Sequence, residues 1–208
     1  MHPLPAPSIE IVELDAEAYA AAIPWLAKLL VDAVESGASV NFLAGMTVEE
    51  AREWWTSRLP QVAEGSVTAF VARASGGGDG ASAGANASAG ANASAGANTS
   101  AGANAIVGST LLIRSPNANS PHRAEIAKVL VHSAARRGGL GRALMDAVEA
   151  RARADGRWLL ILDTQSGTAA EAFYRALGWI ELGTMPNHSY RTDGVLAPTT
   201  FFWKDLRG

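Results

Sequence analysis

The sequence predicts an α+β (mixed α/β) fold, and three observations carry that reading. Apolar or alternating runs with strand character are interleaved with helical stretches in the order strand, two helices, three strands, helix, strand, helix, two strands. That order lacks the regular alternation of a doubly wound nucleotide fold. Hydrophobic residues make up 48% of the 208, enough for one sizeable core, so residues 1–208 are expected to form a single domain.

Each element has its own signal. Ile9 to Leu14 alternates apolar and acidic residues, as a half-buried strand does, and Asp15 after it is a helix cap. Pro24 suits the first turn of a longer helix, with Leu26, Leu29, Leu30, Ala33 and Val34 on one face and Gly37 at its end. Thr47-Val48-Glu49-Glu50 is a capping-box pattern that opens a second helix, expected to reach about Arg58 and to stop near Pro60. Val67–Ala72, Ile106–Ile113 and Arg123–Val131 read as strands. Leu140, Ala143, Leu144, Ala147 and Val148 mark the apolar face of a helix. Arg142 with Asp146 and Glu149 with Arg153 are expected on its outer face. Trp158–Leu162 is a short buried strand. Thr168-Ala169-Ala170-Glu171 is a second capping-box pattern. It begins a helix that buries Ala170, Phe173 and Leu177 and ends at Gly178. Strands around Trp179–Gly183 and Thr199–Trp203 complete the chain.

Between two of the strands the composition changes. The hexad SAGANA repeats four times over Ser82–Ala105, once as SAGANT. A hexad-built β-helix needs a bulky aliphatic residue in every turn, and this repeat has none. Residues 76–104 therefore read as a flexible insertion in a strand–strand loop, unable to offset its ordering entropy and long at little closure cost.

Charge and composition narrow the function. The net charge is −3, so no basic field points to nucleic acid or an anionic membrane. No apolar run approaches the roughly 18 residues of a membrane-spanning helix. The N-terminus lacks signal-peptide features, which leads to a cytoplasmic expectation. The chain has no cysteine, so disulfides, thiolate metal sites and an acyl-cysteine intermediate are excluded. His122, His132 and His188 show no metal-ligand spacing.

The chemistry concentrates in one turn. After the strand ending at Val131 comes Arg136-Arg137-Gly138-Gly139-Leu140-Gly141, followed by Arg142 and a helix. The first amides of a helix have no intrahelical partner and sit at the positive end of its dipole. Glycines admit a ligand, and the arginines supply positive charge, so the turn suits a phosphate or pyrophosphate. A P-loop would need Gly-Lys-Ser/Thr here, and Arg142-Ala143 stands instead; a dinucleotide fingerprint would need a further glycine.

Arg136-x-x-Gly139-x-Gly141 resembles the Gln/Arg-x-x-Gly-x-Gly/Ala motif of the GNAT acetyltransferases. Ala170-x-x-Phe173-Tyr174-x-x-x-Gly178-Trp179 downstream also fits that family. His122-Arg123-Ala124-Glu125, Gly139 to Asp146, Leu162-Asp163-Thr164 and Ala170 to Tyr174 look most like tabtoxin-resistance-like acetyltransferases. The resemblance implies a GNAT acyl-CoA N-acyltransferase fold, with a splayed mixed central sheet flanked by helices. Acetyl-CoA would lie between strands diverging after Val131 and after Leu162. The backbone of Val129, Leu130 and Val131 would hold the pantetheine arm, and Arg136, Arg137, Gly138, Gly139, Leu140, Gly141 and Arg142 the pyrophosphate. One departure is Gly167, where many members have Asn opening the later helix.

Amine acetylation needs a proton taken from the amine and one given to the departing thiolate. A tyrosine is a workable donor to a thiolate. The resemblance assigns catalytic roles to Tyr174, as acid, and Asp163, as base; Tyr174 as a core aromatic and Asp163 as a turn cap are the plainer alternatives. Glu125 is a second candidate base, and His132 borders the phosphate turn. Of the adjacent Trp54 and Trp55, one is expected in the core and the other on the wall of an acceptor pocket, with Glu35, Asn41, Phe42, His188 and Tyr190 as weaker pocket candidates. The reading is an acetyl-CoA-dependent N-acetyltransferase without a metal. It would act on a small primary amine, such as a toxin, an antibiotic or an amino-acid-like metabolite, as a monomer or homodimer. The alternatives are acetylation of a protein N-terminus or lysine, and a non-catalytic acetyl-CoA sensor.

Overall fold

The computed structural model describes residues 8–75 and 105–207. Strand β1 (Ser8–Leu14) leads into helix α1 (Ala16–Glu35), α2 (Val48–Thr56) and α3 (Leu59–Ala63). Strands β2 (Val67–Ser75), β3 (Ala105–Arg114) and β4 (Arg123–Val131) follow. Then come α4 (Leu140–Ala154), β5 (Leu159–Gln165), α5 (Ala169–Ala176), β6 (Ile180–Tyr190) and β7 (Leu196–Asp205). The strands form one seven-stranded sheet in the order β1-β2-β3-β4-β5-β7-β6. Only β4–β5 is parallel. The mixed α/β class read from the sequence is the class observed.

Two apolar layers cover the sheet. One face buries α1 and Trp55 against Val71, Leu111 and Leu130. The other buries Leu144, Met145 and Val148 of α4, with Tyr174 of α5, against Ile126, Leu160 and Phe202. Within β4, Ala127 belongs to the first layer and Ile126 to the second, but further along Leu130 is in the first and Val129 and Val131 in the second. The alternation of a strand therefore slips by one residue. The slip falls at Lys128, whose φ is 51°, and the β3–β4 register shifts between Ser109 and Leu111. This is a β-bulge, which bends the strand and re-aims its side chains.

Several expected details are corrected. Pro24 lies inside α1, well past its first turn. The helix begins at the Asp15 cap, whose carboxylate accepts from Ala18 N at 2.8 Å. Gly37 ends it as foreseen: at φ 82° it donates to Val34 O, while Ala38 donates to Ala33 O, the paired bonds of a Schellman motif. The Thr47–Glu50 capping box forms. Pro60, however, opens a short third helix, where a missing N–H costs nothing. The second capping box does not form: Thr168 donates to Gln165 O, and Glu171 accepts from Gly167 N and Thr200 Oγ1. Ala143 is exposed, whereas Glu149 is buried rather than on the outer face. Both Glu149 oxygens accept from Lys204 Nζ at 2.8 Å, and Oε1 also accepts from Trp179 Nε1. The SAGANA repeat lies outside the described residues; the strands flanking it pair with each other, Ala74 opposite Ala105.

Candidate active site

The parallel β4–β5 ladder holds three rungs, Arg123–Leu159, Ala124–Leu160 and Glu125–Ile161. Beyond Glu125 the strands part, and β4 keeps only its β3 partner. The divergence thus begins well before Val131, earlier than expected. A strand flanked on one side only leaves the backbone groups of alternate residues facing the gap. Those groups belong to the stretch holding Val129, Leu130 and Val131. Leu130 points its own side chain into the core, so it can offer a ligand only its backbone.

The chain then makes a 3-10 turn at Ser133–Ala135 and enters α4 through Arg137 at φ 67° and Gly139 at φ 80°. The first backbone bond of α4 runs from Ala143 N to Gly139 O. The amides of Leu140, Gly141 and Arg142 precede it, and glycine at the cap supplies no side chain to satisfy them. The glycines serve different ends. A Cβ on Gly139 would meet nothing within 4 Å but would sit at a strained positive φ. A Cβ on Gly141 would stand 3.1 Å from the Phe173 ring, so this glycine lets α4 close on α5 rather than on a ligand.

The arginines also divide. Arg136 donates to Val131 O at 3.2 Å and to Ser36 Oγ at 2.5 Å, which ties the turn to the end of α1. Asp32 of α1 strengthens the tie by accepting from Ser133 N at 2.8 Å and Ser133 Oγ at 2.6 Å. Arg137 and Arg142 are exposed and make no side-chain hydrogen bond among the described residues. They are the cations free to meet an anion at the turn. His132 is engaged locally, its Nδ1 accepting from Ala134 N.

Asp163 lies on β5 just past the last shared rung, and its carboxylate is open to the cleft. Desolvation raises its pKa, while the charges of His188 and Lys128 pull it back. Glu125 sits at the crotch. Desolvation raises its pKa, Asp163 adds to the rise, and Lys128 opposes it. Tyr174 is 7% exposed, packed among Phe173, Trp179 and Phe202. Its hydroxyl makes no hydrogen bond among the described residues. Burial first, and the Asp163 charge second, push the phenol well above its usual range, so it stays protonated at any working pH. It is the most buried apolar position of α5, deeper than Ala170, Phe173 and Leu177.

Between the α1–α2 loop, α2 and the end of β6 an open cavity of about 830 Å³ is lined by Asn41, Phe42, Met46, Glu53, Trp54 and Tyr190, among others. Trp55 is fully buried, whereas Trp54 forms the cavity wall edge-on to Phe42. Ala44 N donates to Thr192 O and closes the loop over the cavity against the β6–β7 turn. Glu35 does not line this cavity, and His188 packs on Phe201 and Thr199 instead. Lys128 went unrecognised in the sequence. It donates to Val40 O at 3.0 Å and lies 4.7 Å from the Trp54 ring centre. A lysine inside an apolar strand was the only available signal. Among the described residues, no group of three or more His, Asp and Glu could hold a metal, and no helix is long and apolar enough to cross a membrane.

Residues 87–179 match the Acetyltransferase (GNAT) family. Solved structures of similar fold include a candidate acetyltransferase from Salmonella typhimurium with its cofactor acetyl-CoA. It is 17% identical, at TM-score 0.66, over 97% of this chain and 95% of that one. A ribosomal-protein-alanine N-acetyltransferase from Brucella melitensis is 23% identical, at TM-score 0.63, over 95% and 99%. A candidate phosphinothricin N-acetyltransferase is 13% identical, at TM-score 0.68, over 97% and 100%. Likeness this remote in sequence establishes the fold alone. The family match, covering β4, the glycine turn, α4 and Tyr174, adds the activity class: residues 87–179 carry the likeness to the GNAT acetyltransferases, which use acetyl-CoA.

Proposed function

We propose that this enzyme transfers the acetyl group of acetyl-CoA directly to the primary amine of a small molecule. The observation that carries the reading is the parting of β4 and β5 beyond the Glu125–Ile161 rung, with Asp163 on β5 just past it and Tyr174 within the electrostatic reach of Asp163. The amides of Leu140, Gly141 and Arg142, with Arg137 and Arg142, take the pyrophosphate, and Gly138 and Gly139 leave room for it. Arg136 holds the turn in place. The backbone of Val129, Leu130 and Val131 takes the pantetheine arm. These groups fit acetyl-CoA because they offer unsatisfied donors and fixed positive charge at one end of an open strand edge.

In this reading Asp163 takes a proton from the acceptor ammonium. Its raised pKa brings it closer to the range where a general base works best. The neutral amine attacks the thioester carbonyl, and the C–S bond breaks as the tetrahedral intermediate collapses. Tyr174 gives its proton to the departing thiolate. The chain has no cysteine to carry the acetyl group, which favours transfer within one ternary complex over an acetyl-enzyme on a weaker nucleophile such as Ser or Thr. Residues 1–208 act as one catalytic domain, with 76–104 as an insertion that takes no part.

A small acceptor is supported by the likeness to tabtoxin-resistance-like acetyltransferases and by the aromatic walls of the cavity, Phe42, Trp54 and Tyr190. Its open side favours a second reading, a protein N-terminus or lysine as acceptor; the Brucella melitensis protein is named for a protein acceptor, a ribosomal-protein alanine. Initial rates against both substrates test the direct transfer. Intersecting double-reciprocal lines are expected; parallel lines, the signature of an acetyl-enzyme, would contradict it.

A further inference from the structure

We propose that Lys128, set on the bulge of β4, is a positioning residue of the acceptor site: its ammonium fastens the loop over the acceptor cavity and acts electrostatically on the Asp163–Glu125 pair. The proposal rests on the assignment of Asp163 above. The bulge is what makes the placement possible. The β4 side chains before Lys128 alternate between two packed layers, and those after it alternate out of phase. Lys128 itself takes a left-handed φ of 51°, a conformation that costs a non-glycine residue about 1 kcal/mol or more. A lysine held there at such a cost has a local reason.

The ammonium meets three elements. It donates to Val40 O at 3.0 Å, in the loop between α1 and α2 that carries Asn41 and Phe42. It lies 4.7 Å from the Trp54 ring centre and 5.5 Å from that of Phe42, as a cation over two aromatic faces. Glu125 on its own strand and Asp163 on β5 act on it from the cleft, and Arg58, beyond α2, opposes them. The further charges bearing on Asp163 and Tyr174 are His188 of β6 and Asp163 itself. Neither carboxylate makes a hydrogen bond or a close ion pair among the described residues. Lys128 is within electrostatic reach of both carboxylates without forming an ion pair with either. Burial between the rings brings the lysine down to about 8, the two carboxylates hold it up, and it in turn favours their ionised forms.

The test is carbon-13 NMR titration of the free enzyme, with the Asp163 and Glu125 carboxyl signals assigned through Asp163→Asn and Glu125→Gln. Lys128→Met keeps the stem against Trp54 and Phe42 and removes the charge. Both carboxyl midpoints should then rise by about 0.5–1 pH unit, the influence expected of one charge across a partly hydrated cleft. Lys128→Arg should return them to the wild-type values. The coupling is reciprocal, so the Lys128 ε-carbon midpoint should fall in Asp163→Asn and in Glu125→Gln. This arm does not require the Lys128 variants to fold. In turnover, Lys128→Met should raise KM for the acceptor several-fold and leave KM for acetyl-CoA within about twofold, and its acid limb should move with the carboxyl midpoints. Unmoved midpoints in the reciprocal arm, or in folded Lys128→Met, would overturn the proposal. The titrations need no acceptor. If they shift while no small amine is acetylated, the acceptor assignment fails and the role of Lys128 stands.

Discussion

Glu125 and Ile161 form the last rung of the parallel β4–β5 ladder, and Asp163 stands just beyond it, where β5 keeps only its β7 partner. A carboxylate placed there is crowded by protein yet joined to no partner, which is why desolvation leads the rise in its pKa. The folded state thus holds this proton more tightly than the unfolded chain does. The stability this gives is complete below the ordinary value of 3.8 and is lost as pH rises through the higher folded value. At pH 7 the ionised group works against the fold. Asp163→Asn should therefore raise Tm at pH 7 while lowering kcat by about 10²–10⁴. Activity should recover partly at high pH, where the amine is already neutral. A lower Tm with an unchanged pH profile would make Asp163 a turn cap instead.

Tyr174→Phe keeps the ring among Phe173, Trp179 and Phe202 and removes only a hydroxyl that bonds to nothing described. The fold should be as stable as wild type or slightly more so. The rate should fall by about 10²–10⁴, the usual loss for a general acid. Wild-type kcat in the variant would return Tyr174 to a purely packing role.

The two glycines of the turn separate ligand approach from packing. Gly139→Glu brings a side chain and a negative charge to the open end of α4, so CoA affinity measured by calorimetry should weaken at least about tenfold. Gly141→Ala presses on Phe173, and its first effect should be a loss of about 1 kcal/mol in denaturant unfolding. Equal CoA affinity for wild type and Gly139→Glu would remove the pyrophosphate from this turn.

Away from the cleft, Glu149 binds Lys204 through both oxygens and Trp179 through one, and Lys204 also donates to Leu177 O. This joins α4 to β7 and to the end of α5. Glu149→Ala leaves a lysine without its counter-charge and should cost about 3–5 kcal/mol in denaturant unfolding. A loss under about 1 kcal/mol would show that water replaces the carboxylate freely.

The sequence carried the strands, most caps and the glycine–arginine turn because each is a local pattern. Asp15, Thr47 and Gly37 act within a few residues of themselves, and the glycine–arginine turn is contiguous. What was not legible depended on partners distant in the chain. Glu149 looked outward by helical spacing, but Lys204 and Trp179 draw it inward. Glu171 missed its capping box because Thr200 and Gly167 bind it. Pro24 and Pro60 were placed by local preference, which the packing of α1 and the start of α3 overrode. Asp163 and Tyr174 could be singled out by resemblance. Lys128 could not, since its place depends on a bulge that no residue type announces.

Acetyl transfer to a small amine is tested by turnover of acetyl-CoA by the wild-type protein across a panel of small primary amines and short peptides. Thiol release and product mass should be followed together. CoA thiol should be released stoichiometrically with an N-acetyl product from at least one small amine. Release only with peptides or whole proteins would contradict the small acceptor.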